Sequence, residues 1–289
     1  MKILIFNLII LSSLWLNAEM LHSEKSLYRN IIVEEKSGLR CMVFGLRSKN
    51  PDRQSCFDPD RPDYLIFSYT KLVMAGLSTI PTPKNVLIIG LGGGTLPMTI
   101  EKLLPNAQID TVELDEAVLR VAKKWFYYQE SGRQKTHLMD GRVFVKRQLR
   151  LNRSYDMIIL DAFNGDYIPE HLMTMEFFRE VKALLSVNGL LVANTFSDNK
   201  LFHHESVTYQ NVFGKFHHIH SNKSANRVIF ATAGKYHRFK VLPNNILNSN
   251  LSTIGVDLAD FEHRITQRPN WNENARPLTD QFSPANLLK

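Results

Sequence analysis

The sequence predicts an α/β fold, a mostly parallel sheet with helices on both faces and a small β appendage at the N-terminal side. Three observations predict it. From Asn85 onward, short apolar runs alternate with amphipathic stretches, and strands that alternate with helices build parallel sheets through crossover connections. The first run breaks into "GLGGGTLP", four glycines within five residues and then a proline that can open a helix. Carboxylates stand where three successive runs end, at Glu113, Asp140 and Asp161, and open parallel sheets bind ligands at the carboxyl ends of their strands.

Each element has its own signal. "NVLIIG" reads as a buried strand, with a helix from about Leu96 to Leu104 after the glycine loop. "IDTVEL" is a second strand, followed by the amphipathic "DEAVLRVAKKWFYY", and "KTHLMD" a weak third, with a short helix over Gly141 to Leu149. "YDMIILDAF" is a strongly apolar fourth strand. A polar loop leads to the helix "TMEFFREVKALLS", the turn "VNG" and the fifth strand "LLVANTF". A helix over Lys200 to Phe213 precedes the pair "KFHHIHS" and "NRVIFATA", expected to run antiparallel. Short strands over 27–60 form the appendage, 61–239 the main domain, and 240–289 a polar tail with one helical candidate near "LADFEHRIT".

Whole-chain properties narrow the function classes. At 289 residues with 44% hydrophobic and 22% charged side chains, the chain can bury a large core. The net charge is +7, yet the basic residues are spread out, and the densest run, "VKRQLRLNR", alternates with apolar residues as a solvated helix face does. No nucleic-acid partner is expected. Residues 1–18 carry one lysine, an apolar stretch from Ile3 to Leu16 and a small-residue end at Ala18. That stretch is short of the ~20 residues that span a bilayer and fits a secretory signal peptide. An exported or periplasmic protein is expected; membrane-tethered and cytoplasmic locations are the alternatives. Cys41 and Cys56 can pair in an oxidising compartment and would be two thiols in the cytosol. Adjacent histidines (His203, His204, His217, His218, His220) point in different directions and lack zinc spacing, so no metal site is expected.

The loop itself separates ligand classes. Dinucleotides use G-x-G-x-x-G, but Thr95 holds the place of the third glycine, and no Lys-Ser/Thr follows to make a P-loop. Gly90, Gly92 and Gly94 instead give the tight spacing that brings backbone against an S-adenosyl nucleoside. Glu113 lies where a carboxylate takes both ribose hydroxyls. Asp140 is placed to accept from an adenine amino group, beside Gly141, and Asp161 faces the mouth of the same crevice.

At these residues the chain resembles the spermidine synthase (polyamine aminopropyltransferase) family over about Ser26 to Ala233. "DYLIFSYTKLVMAGL" is similar to its tyrosine-bearing helix, "VELDEAVLRVAKKWF" to its ribose-binding segment, "MDGRVFV" to its adenine segment and "DAFNGDYIP" to its catalytic loop. The resemblance implies a Rossmann-like S-adenosylmethionine-dependent transferase fold with a seven-stranded sheet. It implies Asp161 as the base, Tyr69 as the residue orienting the amine, and Asp166 for a distal ammonium. Decarboxylated S-adenosylmethionine is the implied co-substrate, with no permanently bound cofactor, a small-molecule amine as acceptor, and a homodimer or homotetramer as the assembly. The sequence also departs from the family. Gly93 replaces an aspartate of the glycine loop, and Arg29 and Thr70 replace two glutamines. An S-adenosylmethionine-dependent methyltransferase and a non-catalytic exported nucleoside-binding protein are the alternative readings. The tail carboxylate Asp280 is a candidate for folding back to the crevice.

Overall fold

The structure, a computed structural model, describes residues 18–45, 52–163, 168–197, 201–234 and 239–283. The leader-like segment, apart from Ala18, and Asp166 lie outside the described residues. Two sheets organise the chain. The smaller is an antiparallel meander of β1 (Glu19–Lys25), β2 (Asn30–Lys36), β3 (Leu39–Phe44) and β4 (Asp52–Phe57). Its first strand begins at Glu19, ahead of the expected start at 27, because the charged "EMLHSEK" is an edge strand that pairs only with β2. Cys41 and Cys56 sit directly opposite each other on β3 and β4 and form a disulfide.

The larger sheet has seven strands in the order β10 (His217–His220), β11 (Asn226–Thr232), β9 (Leu185–Phe196), β8 (Tyr155–Leu160), β5 (Asn85–Ile89), β6 (Gln108–Glu113) and β7 (Gln134–Leu138). β9, β8, β5, β6 and β7 run parallel, while β11 pairs antiparallel with both β9 and β10. The chain therefore winds outward from β5 through β6 to β7, then returns to β8 on the other side. Strand order reverses between β5 and β8, and that reversal opens the crevice in which such sheets bind ligands.

Alternation along β5 decides the two cores. Val86 and Ile88 face a layer made by α1 (Ser68–Ala75), α2 (Thr95–Leu103), α7 (Asn245–Thr253) and α8 (Leu258–Arg264). Leu87 and Ile89 face the opposite layer of α4 (Gly141–Arg150), α5 (Met175–Leu184) and α6 (Phe202–Phe213). The remaining helix, α3 (Glu116–Trp125), carries the small sheet: Val118 and Val121 pack against Ile31, Val33, Met42 and Phe57. That contact holds β4 over the mouth of the larger sheet.

Two expectations need correction. The "VNG" turn is not a break before the fifth strand. β9 runs unbroken from Leu185, and the extra residues are taken up by a register shift between Tyr155–Leu185 and Met157–Leu190. The segment after Lys240 is likewise not a polar tail with a single helix. α7 buries Leu247 and Leu251 and is followed by buried Ile254, an i, i+4, i+7 stripe hidden among asparagines and serines. Beyond α8, Asp280 does fold back, but onto Arg142 in the first turn of α4 rather than into the crevice. It binds Arg142 Nη1 and Nη2 at 2.7 and 2.8 Å and accepts from the Thr174 hydroxyl at 2.7 Å.

Candidate active site

A cavity of about 250 Å³ opens at the carboxyl ends of β5, β6, β7 and β8. Its walls include Gly90, Gly92, Glu113, Asp140, Gly141, Asp161 and Tyr69, with Gln54, Ser55 and Cys56 contributed by β4. Gly94 is the exception among the residues expected to hold the nucleoside. It does not line the cavity but caps α2 in a left-handed conformation (φ 81°), where a Cβ would sit 2.4 Å from the Tyr128 ring. Its role is to let the chain turn into the helix.

Asp161 leaves β8 at the strand reversal. Its backbone N–H donates to Ile89 O, while Gly90 N–H donates to Val112 O, so the ends of β6, β5 and β8 are tied side by side. The Tyr69 hydroxyl donates to Asp161 Oδ2 at 3.2 Å and Asn194 Nδ2 donates to Oδ1 at 2.9 Å. Burial pushes the carboxyl up to about 7, against the pull of these two hydrogen bonds in the other direction. Tyr69 is partly buried, and desolvation together with the neighbouring Asp161 charge pushes its phenol well above the usual range. Tyr69 therefore keeps its proton and acts as a donor, which leaves Asp161 as the group that titrates near neutral pH.

The nucleoside side has two further carboxylates. Glu113 Oε2 accepts from the N–H of Leu91 in the glycine loop and Oε1 from the N–H of Asp115, so the side chain is pinned with one lone pair on each oxygen still open. Burial raises its pKa, opposed by those two N–H groups and by the Arg29 guanidinium. Asp140 is the N-cap of α4: Oδ1 accepts from Val143 N–H, and Oδ2 meets His171 Nε2 at 2.7 Å. The His171 contact, helped by the cap, holds this carboxyl below its usual range against partial burial. Arg29 stacks 4.3 Å over Phe44, donates to Phe163 O and lies 3.8 Å from Asp115.

Past Tyr69 lies a second chamber of about 380 Å³, which shares Gln54, Ile66, Phe67, Tyr69 and Phe163 with the first. Asn194, Asn226, Ser68, Ser224, Lys223 and Arg53 add the polar part of its lining. Arg53 is paired with Glu34. Asn194 and Asn226 are joined amide to amide at 3.0 Å. Asp161 thus stands where the two chambers meet, its Tyr69 and Asn194 partners facing the second one.

Comparison with known proteins decides the family. A spermine/spermidine synthase domain matches residues 66–230. A polyamine aminopropyltransferase of Vibrio vulnificus is 44% identical over 273 residues, 93% of this chain and 91% of that protein. The chain belongs to the spermine/spermidine synthase family. Among solved structures, the spermidine synthase of Thermotoga maritima superposes with a TM-score of 0.60 at 18% identity, covering 81% of this chain and 88% of that one. Human methyltransferase-like protein 13 in complex with SAH superposes at 0.56 and 22% identity, covering 72% of this chain and 97% of that one. At these identities the two structures bear on the fold alone.

Within the spermine/spermidine synthase family, the departure at Gly93 has a steric basis. A Cβ there would lie 2.6 Å from Ser55 Oγ and 2.8 Å from the Phe126 ring. The space beside Gly93 is filled by Ser55 of β4 and by Phe126, the residue after α3. Gly93→Asp is therefore expected to lower the urea midpoint without improving KM for the sulfonium donor. A lower KM would show that Phe126 yields and that the carboxylate site can be rebuilt. The Thr70 hydroxyl, at another departure, is turned back onto Phe67 O at 2.7 Å.

Asn194, Asn226, His171 and Ser55 were not singled out from the sequence. Asn194 had a signal, a lone amide in the apolar run "LLVANTF", since a polar residue at the end of a central strand needs a partner. His171 and Ser55 reach the site from separate loop and sheet segments, and no local pattern marks them. Among the described residues, no three His, Cys, Asp or Glu side chains gather as a metal site.

Proposed function

We propose that this chain transfers an aminopropyl group from decarboxylated S-adenosylmethionine to a polyamine and releases methylthioadenosine. The observation that carries this reading is the partly buried Asp161, held by Tyr69 and Asn194 where a nucleoside-sized cavity meets a second chamber. The nucleoside would lie between the glycine loop, Glu113 and Asp140, and the acceptor amine would enter past Tyr69. The acceptor nitrogen gives a proton to Asp161, then attacks the methylene beside the sulfonium. A C–N bond forms, the C–S bond breaks, and the sulfonium's positive charge passes to the new ammonium while methylthioadenosine leaves neutral.

Magnitudes support this assignment. An alkyl ammonium titrates near 10.4, as lysine does, so passing its proton to an ordinary carboxyl is uphill by more than six pKa units, roughly 9 kcal/mol. Asp161 at about 7 cuts that by more than three units, about 4 kcal/mol. Burial thus converts a poor base into a serviceable one.

The test is methylthioadenosine release, followed by mass spectrometry, from decarboxylated S-adenosylmethionine with a panel of di- and triamines. Release that requires an amine is expected. A folded protein that binds methylthioadenosine yet releases none with any amine would sink the proposal. Release of S-adenosylhomocysteine from S-adenosylmethionine would favour methyl transfer instead.

We also propose that the protein is exported. The Cys41–Cys56 disulfide supports this, because such bonds persist in oxidising compartments. Thiol trapping in intact cells is expected to find the pair oxidised in the periplasmic fraction; a reduced pair in the cytosol would overturn export.

A further inference from the structure

Behind Asp161, on the side away from the nucleoside, the fold buries a second carboxylate that the chemistry above does not use. Glu205, in the first turn of α6, is 1% exposed. Its Oε2 pairs with Arg227 Nη2 at 3.3 Å, and Arg227 spends its other nitrogens on the hydroxyls of Thr195 and Ser206. Glu205 Oε1 is buried and, among the described residues, has no hydrogen-bond partner. One turn further along α6, Tyr209 is 2% exposed. Leaving a buried carboxylate oxygen unpaired is costly, so a partner is called for.

Both side chains line a small space of about 20 Å³, and so does Asn194. The rest of its wall is apolar, with Leu160, Ile168, Leu172 and Phe177 among it. A space needs about 10–15 Å³ and two to four polar partners to hold one water. Here the partners are complementary. Asn194 Nδ2 has two hydrogens; one goes to Asp161 Oδ1, and Asn194 Oδ1 accepts from Asn226. The second hydrogen of Nδ2 and the Tyr209 hydroxyl can donate to a water, which in turn donates to Glu205 Oε1.

We propose that one buried water, held by Glu205, Tyr209 and Asn194, fixes the Asn194 amide with its NH2 against Asp161, making Glu205 and Tyr209 positioning residues for the base. The ionisable groups that face the water are Glu205, whose carboxyl burial pushes up to about 7 against the pull of Arg227, and Arg227 itself; Tyr209 faces it as a protonated phenol, its pKa raised by burial and by the Glu205 charge. Asp161 lies one amide away. The consequence for the reaction follows from Asn194. A firm donor favours the ionised carboxylate, so loosening it raises the pKa of Asp161 and moves the acid limb of the rate profile to higher pH.

This inference rests on the aminopropyl reading for its kinetic test, and a second, structural readout keeps the two separable. Tyr209→Phe preserves the ring, and Glu205→Gln removes the charge at constant shape. In both, kcat is expected to fall by about 3- to 10-fold, with KM for the sulfonium donor unchanged and the acid limb shifted upward. In an Asn194→Ala background the same changes should add little, because the amide they orient is gone. Tyr209→Phe guards against a Glu205→Gln protein that fails to fold. A limb that stays in place, or losses that add fully to those of Asn194→Ala, would overturn the proposal. High-resolution density of the wild type should show the water between Glu205 and Asn194. Its absence would overturn the proposal whether or not any amine is alkylated, and lack of methylthioadenosine release with the water present would count against the reaction alone.

Discussion

Asp161→Asn is expected to cut the rate of methylthioadenosine release by at least about 100-fold, the scale of a lost general base, with donor KM changed by no more than a few-fold. The variant keeps the shape of the side chain but offers an amide where both Tyr69 and Asn194 donate, so it can neither accept the amine's proton nor match both partners. The wild-type profile carries the sign of the same group. Only the ionised carboxylate is a base, and burial places its titration at about 7, so kcat/KM should rise with pH through about 7 and level off above it. A rate that is flat between pH 5 and 9, or an asparagine variant of near wild-type kcat, would mean that the proton leaves elsewhere. Linkage runs the opposite way for the fold. A carboxyl whose folded pKa lies above its unfolded 3.8 binds its proton more tightly in the native state. Its contribution to stability is therefore complete below about pH 4 and lost as pH rises to about 7. The site is most active where this group stabilises the protein least.

Gly90→Ala is expected to destabilise the protein by on the order of 3–5 kcal/mol, combining a strained positive φ with overpacking. Gly90 has φ 108°, and a Cβ on it would stand 2.2 Å from the carbonyl oxygen of Asp161. That neighbour is backbone, itself tied to β5 by the Asp161 N–H to Ile89 O bond, so it cannot step aside without moving the base. Urea unfolding with methylthioadenosine titration would check both effects. Gly132→Ala, at a glycine with nothing within 4 Å of the added carbon, should stay within about 0.5 kcal/mol of the parent. Equal stability of the two variants would show that the strand ends are looser than their contact implies.

The parts of this fold that show in the sequence are those where one physical cause dominates. "NVLIIG" and "YDMIIL" announce β5 and β8 because both faces of a central parallel strand are covered, leaving a run with no polar interruption. Asp161 stands out because it follows such a run directly, while Glu113 and Asp140 close weaker strands, "IDTVE" and "KTHLMD", and show by their place in the alternation. Legibility fails where causes compete. In α7 the stripe of Leu247, Leu251 and Ile254 is outvoted by asparagine and serine composition. In β9 the "VNG" turn signal is real, but pairing with β8 absorbs it as a shift in register. Tyr69 shows little by itself, a tyrosine among apolar neighbours; resemblance to the family, not pattern, marked it. Glu205 and Arg227 carry no local mark of burial in the sequence; it is α6 and β11 closing on each other that buries both.

The packing of α7 and α8 also sets a clock. Val86, Ile88, Met157 and Ile159 of the central strands share their layer with Leu247, Leu251, Ile254 and Phe261, residues made long after those strands. Until they arrive, that side of the sheet is covered only by α1 and α2, and the apolar surface that α7 and α8 will bury stays open. At about 5–20 residues per second of synthesis, the interval lasts several seconds. Arg142, waiting for Asp280, extends it to the helix that Asp140 caps. The nucleoside pocket draws its walls from residues 28–172 alone, all made before α7 and α8, so the late helices complete the covered face behind the site rather than any wall of it.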